Sequence, residues 1–97
     1  MEKENNPEKF YDKLRAQLEE TTSWPSEYLY KFIILTDPKK IEQIHLIFND
    51  LGAVITTKKS KNDKYTSVSI NVRMADPDAV IQKYKQVGKE VEGVISL

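Results

Sequence analysis

The sequence predicts one α+β domain: a four-stranded antiparallel sheet carries two helices on one face, and a third helix precedes the first strand. Two observations lead to this prediction. An Asn or Asp stands directly before proline at three places, Asn6-Pro7, Asp37-Pro38 and Asp76-Pro77. Such pairs mark helix starts, because the first side chain caps free N–H groups and proline in the first helical position loses no hydrogen bond. Between these points, β-branched and aromatic residues alternate with polar ones, as they do in strands.

The first helix is predicted over residues 7–20. Phe10, Leu14 and Leu18 recur every four residues and form an apolar stripe that needs a surface to cover. Residues 21–26 break the pattern and are interpreted as a linker, so residues 1–26 form a helix and linker, and residues 27–97 form the main domain. The stripe has three available surfaces: the open face of the sheet, an edge of the domain, or a second chain. We expect the helix to limit access to the open face.

The first half of the main domain is predicted to be strand, helix and strand. A strand is expected at residues 28–35, followed by a helix that starts at Asp37-Pro38 and ends at Gly52. Apolar residues at helical spacing should turn the helix toward the core: Ile41, Ile44, Phe48 and Leu51. A second strand is expected at residues 53–59, and residues 61–63 suit a short hairpin loop.

The second half of the main domain repeats the order strand, helix, strand. In a strand predicted at residues 64–74, Val68, Ile70, Val72 and Met74 share one face, and the residues between them share the other. A helix should start at Asp76-Pro77 and end at Gly88, with a last strand at residues 91–97. The resulting order, β-α-β-β-α-β, predicts a ferredoxin-like sandwich whose second sheet face is uncovered.

Composition narrows the classes of function. The 15 basic and 15 acidic residues balance, so strong non-specific attraction to nucleic acid or anionic membranes is not expected. There is no cysteine, which excludes disulfides and cysteine-based metal sites. The N-terminal residues do not resemble a signal peptide, and no apolar run is long enough for a membrane span. We therefore expect a cytoplasmic protein.

No catalytic residue, metal site or cofactor is predicted. His45 is the only histidine and has no partner at ligand spacing. Of the three glycines, Gly52 and Gly88 are assigned to helix ends and Gly93 to the last strand, where a bulge or close packing explains it. No phosphate-binding loop therefore remains. The carboxylates suit solvated positions and show no acid–base pairing, so an enzyme is not expected.

Four stretches resemble the YbeD-like family of small bacterial proteins of unknown function: Trp24-Pro25, residues 30–33, residues 64–70, and residues 93–95. The resemblance begins near Phe10 and is most specific on the third strand. It implies a ferredoxin-like fold similar to the ACT regulatory domains, and no established activity. Ligand-binding ACT domains generally have a glycine in the turn after the first strand. Residues 36–40 contain none, which speaks against amino-acid binding.

The open sheet face is the predicted functional surface. Its candidate binding residues are Lys31, Ile33, Tyr65, Ser67, Ser69 and Arg73. Their mixture of apolar, hydroxyl and basic groups is typical of a recognition surface. We interpret the protein as a non-catalytic regulatory or interaction domain that acts through this face, by self-association or by binding a small metabolite or a protein. The alternative is a weak single-stranded RNA-binding module on the same face, with Tyr65 as its one stacking aromatic.

Overall fold

The computed structural model describes residues 7–97. The elements in chain order are α1 Pro7–Thr21, β1 Ser26–Leu35, α2 Pro38–Ile47, β2 Val54–Lys59, β3 Tyr65–Met74, α3 Pro77–Glu90 and β4 Ile95–Ser96, with a short 3-10 helix at Asn49–Leu51. The helix cap predicted at Asn6 lies outside the described residues. In the described part of the chain, no helix is both long and apolar enough to cross a membrane.

The four strands form one sheet in the order β2-β3-β1-β4, and every neighbouring pair is antiparallel. The predicted α+β class with four antiparallel strands is confirmed. The long pair β1 and β3 forms the centre of the sheet and is in register from Ser26 opposite Met74 to Leu35 opposite Tyr65. β2 pairs with the edge of β3 that faces away from β1, and β4 pairs only with Phe32 and Ile33 of β1.

Helices α2 and α3 start where the Asp-Pro pairs predict. The Asp37 carboxylate accepts a hydrogen bond from the backbone N–H of Lys39 at 2.9 Å, and that of Asp76 accepts one from Ala79 at 2.8 Å. These bonds satisfy N–H groups that the first helical turn leaves free.

The predicted end of α3 at Gly88 is wrong. The helix runs through Gly88 to Glu90, and the N–H of Val91 still donates to the carbonyl of Val87 at 2.9 Å. A fully buried Val91 anchors this end in the core, so tertiary packing outweighs the helix-ending tendency of a single glycine.

The last strand is also shorter than the predicted 91–97. Val91 caps α3, the chain then turns at Gly93, and only Ile95–Ser96 pairs as β4. Gly93 has a φ of +74°, which a residue without Cβ adopts at little cost. The glycine assigned to the strand therefore belongs to the turn before it.

The core lies between one sheet face and helices α2 and α3. Alternate residues of the central strands point into it: Tyr30, Phe32, Ile34, Val68, Ile70, Val72 and Met74. Phe48 is buried as predicted, but Leu51 is 38% exposed. The reason is that α2 ends at Ile47 and the chain tightens into the 3-10 helix, which turns Leu51 away from the predicted stripe.

Three tyrosines form a hydrogen-bonded aromatic cluster in this core. The hydroxyls of Tyr28 and Tyr84 lie 2.8 Å apart, and Tyr30 donates to the carbonyl of Val80 at 2.9 Å. Burial raises the pKa of both Tyr30 and Tyr84 far above the ordinary tyrosine range, since a buried phenolate would lose its hydration. Tyr30 and Tyr84 are therefore neutral, and the two hydrogen bonds connect β1 to α3.

Helix α1 docks on α3, on the helical side of the sheet. Leu14 and Leu18 pack against the core from there, and Arg15 donates to Asp78 at 2.6 Å. The expectation that α1 limits access to the open face is therefore wrong. Phe10, predicted as part of the docking stripe, is 64% exposed, and Tyr11 packs against the core in its place.

Candidate interaction surface

The open face consists of the side chains that alternate with the buried ones along each strand. Because Tyr30, Phe32 and Ile34 point into the core, their neighbours on β1 point outward. The strand register then fixes which residues of the other strands share this face. The outward residues are Glu27, Leu29, Lys31, Ile33 and Leu35 on β1; Tyr65, Ser67, Ser69, Asn71 and Arg73 on β3; Val54, Thr56 and Lys58 on β2; and Ile95 on β4.

Five of the six predicted binding residues lie in one block. Lys31 is directly opposite Ser69, and Ile33 is directly opposite Ser67. Tyr65 is the next outward residue of β3 beyond Ser67 and extends the block at one end. The candidate set is therefore one contiguous surface at these five positions.

Arg73 lies apart from that block. It is eight residues from Tyr65 along β3, a distance of roughly 26 Å at the rise of an extended strand. Its cross-strand partner is Glu27, at the opposite end of the sheet from Tyr65. One small ligand does not reach both ends, so Arg73 belongs to the same face but to a different part of it.

The face divides into two zones of different chemistry. An apolar half occupies β1, β4 and the residue after β4, whose N–H continues the pairing to Lys31, and comprises Leu29, Ile33, Leu35, Ile95 and Leu97. The exposed fractions of Leu29, Leu35, Ile95 and Leu97 are 52%, 51%, 54% and 69%. A mostly polar half occupies β3 and β2 and comprises Thr56, Lys58, Ser67, Ser69, Asn71 and Arg73, together with the exposed Val54 opposite Asn71. The residues of β2 and β4 on this face were not among the predicted binding residues, because only the strand register places them there.

A shallow hollow of about 210 Å³ lies at the Tyr65 end of the face. It is lined by Ile33, Lys58, Lys59, Ser60, Tyr65 and Ser67. Its two serine hydroxyls are used internally: Ser67 donates to the carbonyl of Lys58 at 3.3 Å, and Ser60 accepts from the N–H of Tyr65 at 2.9 Å. The hollow therefore offers a ligand mainly the apolar parts of its lining side chains.

His45 does not belong to the open face. It is an exposed residue of α2 and lines a separate hollow of about 310 Å³ beside Phe48 and Gly52. Within residues 7–97, no three His, Cys, Asp or Glu side chains are grouped closely enough to hold a metal ion.

Comparison with known proteins agrees with this architecture. The chain is similar in fold to the solution structure of protein HP0495 from H. pylori, with a TM-score of 0.60 and 18% sequence identity over 77% of this chain and 86% of that chain. No curated protein matches the chain. A family model described as a protein of unknown function (DUF493) matches residues 19–95, which include α2, α3 and the sheet except Ser96. The chain belongs to the DUF493 family.

Proposed function

We propose that this protein is a non-catalytic interaction domain that binds another protein through the open face of its sheet. The observation that carries the proposal is the apolar half, in which four large side chains on β1, on β4 and directly after β4 are each more than half exposed. Scattered exposed apolar residues are ordinary, but a contiguous group framed by polar residues is typical of an interaction site.

Covering the apolar half is favourable enough to drive binding. Full burial of a Leu or Ile side chain contributes about 1.5–3 kcal/mol. Four side chains that are roughly half exposed therefore contribute several kcal/mol when a partner covers them. The polar half suits the rim of such an interface, because its hydroxyl and amide groups exchange hydrogen bonds with water for bonds with a partner.

The proposal also includes the fold family, the cellular location and the role of the protein. We infer that the fold is the ferredoxin-like, ACT-like arrangement, supported by the antiparallel order β2-β3-β1-β4 with α2 and α3 on one face. We also infer a bacterial, YbeD-like protein with a regulatory role in the cytoplasm, for which the support is the resemblance carried by the third strand and the match of residues 19–95.

The test compares two substitutions of exposed leucines. Leu29 lies on the open face, whereas Leu46 is an exposed leucine of α2 outside it. Proteins retained by the immobilised wild-type chain are identified by mass spectrometry, purified, and titrated against each variant. We expect Leu29→Asp to abolish binding and Leu46→Asp to preserve it. Equal binding by both variants would show that the partner does not bind through the open face.

A second candidate function is binding of single-stranded RNA. Tyr65 is 41% exposed, and the Lys64 ammonium lies 5.5 Å from the centre of its ring. An exposed aromatic beside lysines offers base stacking next to phosphate contacts. If RNA is the ligand, Tyr65→Ala should weaken binding of a uridine-rich oligonucleotide by about 1–3 kcal/mol, and the affinity should fall steeply with salt. No anisotropy change with the wild-type chain at low salt would discard this candidate.

A further inference from the structure

We infer that the open face takes an acidic amphipathic segment of another protein, with one carboxylate seated on Lys31, and not a second copy of this chain. This inference rests on the proposed function and specifies the chemistry of its partner. Its main observation is a cation in the middle of the apolar half.

Lys31 is surrounded by the residues that drive binding. Leu29 and Ile33 flank it along β1 on the same face, and the N–H of Leu97 donates to its carbonyl at 2.9 Å. Ser69 lies directly opposite it on β3. A partner that covers the apolar half must therefore also cover Lys31.

The ammonium of Lys31 has no carboxylate partner in the described part of the chain. No ion pair joins it to an acidic residue among residues 7–97. A charged group loses its hydration when a partner covers it, and this loss is costly unless an opposite charge replaces the water. A partner with a carboxylate at this position therefore binds better than one without it.

The other charges on the face favour the same partner. Lys58 and Arg73 are exposed cations of the polar half, and Glu27 is the only carboxylate that the four strands place on this face. Glu27 already lies opposite Arg73 across β1 and β3. A second copy would bring mostly cations against cations, and like charges across an interface oppose association.

The probe is a set of three short helical peptides with a fluorescent label. Each carries the same leucine stripe, and the central position of the stripe is aspartate, serine or lysine. We expect the aspartate peptide to bind the full-length chain about tenfold more tightly than the serine peptide, a difference of about 1.4 kcal/mol. The lysine peptide should bind most weakly. Backbone amide shifts in NMR spectra should locate all binding at Leu29, Lys31 and Ile33.

Variants then assign the preference to Lys31. Lys31→Met should make the aspartate and serine peptides bind equally, and Lys31→Glu should reverse the order in favour of the lysine peptide. Lys13→Met, an exposed lysine of α1, is the matched control and should keep the preference for aspartate. Because Lys31 and Lys13 are both exposed, all three variants should fold, which circular dichroism checks.

The outcomes separate this inference from the proposed function. Equal binding of the aspartate and serine peptides by the wild-type chain overturns the inference and leaves the proposed function standing. The same holds if the preference for aspartate survives Lys31→Met. Concentration-dependent dimerisation that Leu29→Asp abolishes also overturns the inference, because a second copy would then be the occupant. If no peptide binds or shifts any amide of the open face, both fail.

Discussion

The two faces of the central strands differ sharply, although they are built from alternate residues of the same segments. On the inner face, Tyr30, Phe32 and Val68 are completely buried beneath α2 and α3. On the open face, Leu29 directly precedes Tyr30 and Leu35 directly follows the buried Ile34, yet both leucines remain more than half exposed. Because side chains alternate along a strand, the inward residues of each segment stabilise the fold, and the outward residues form the surface that we propose binds a partner.

Helix α1 makes the contrast sharper. Its apolar residues do not cover the open face. The helix docks on α3 instead, and Leu14 and Leu18 pack against the core on the side that α2 and α3 already cover. Two ion pairs join the exposed edges of the same contact, Arg15 with Asp78 and Lys85 of α3 with Glu8 at 3.0 Å.

The largest expected effect comes from truncating the inner face. Phe32→Ala and Phe48→Ala should each lower the free energy of unfolding by about 3–5 kcal/mol, because each leaves a cavity in the core. For a domain of this size, that loss lowers Tm by at least about 12 °C. Leu35→Ala on the open face should cost below about 1 kcal/mol. Urea titrations of the three variants measure these losses. If Leu35→Ala lowered the free energy of unfolding as much as Phe32→Ala, the two faces would not differ in their contribution to stability.

Alkaline pH should lower the free energy of unfolding through the buried tyrosines of the inner face. The folded-state pKa values of Tyr30 and Tyr84 are raised by burial, so their contribution is complete below the unfolded-state pKa of about 10. As pH rises beyond that value, the unfolded chain releases these protons first and stability falls. The slope is at most about 1.4 kcal/mol per pH unit for each hydroxyl.

Urea midpoints measured between about pH 8 and pH 11 test this slope. Tyr30→Phe should flatten it, whereas Tyr65→Phe, which removes an exposed hydroxyl of the open face, should leave it unchanged. A slope that responds equally to both variants would show that the buried cluster is not its source.

Substitutions in the packed face of helix α1 should lower the free energy of unfolding by an amount between those for the inner and open faces. Leu18 is half buried against the core, so Leu18→Ala should cost about 1–2 kcal/mol, below the range for a fully buried leucine. Phe10→Ala should cost little, because its ring is largely exposed. Deleting the first 21 residues should lower Tm and increase binding of a hydrophobic dye. Loss of stability from Phe10→Ala alone would show that the docking stripe is the one predicted from its spacing.

Much of the fold follows from local chemistry. The Asp-Pro pairs place the starts of α2 and α3, and the alternation from Tyr65 to Met74 identifies both faces of β3. Errors occur where tertiary contacts decide. Gly88 remains helical because buried Val91 holds the next turn, and Tyr11 packs against the core where Phe10 was expected to do so. Spacing along one segment carries no information about such contacts.

The candidate surface was predictable in part for the same reason. Lys31, Ile33, Ser67 and Ser69 follow from alternation on two strands whose faces are clear from sequence. Lys58 and Ile95 depend on the register of edge strands, which is set by a hairpin loop and by a turn at Gly93. The separation of Arg73 from Tyr65 follows from strand length, which could have been counted along the sequence.

The smallest expected effect on stability, and the sharpest test of the comparison, is Leu29→Asp. Its side chain is half exposed and lies outside the core, so the substitution should change the free energy of unfolding by no more than about 0.5–1 kcal/mol. The added carboxylate is adjacent to Lys31 on the same face and supplies it with an internal partner. It should therefore reduce binding of a hydrophobic dye and of any acidic partner while Tm stays nearly constant. Loss of stability as large as that of Phe32→Ala would mean that the open face contributes to folding, and the division between the two faces would not hold.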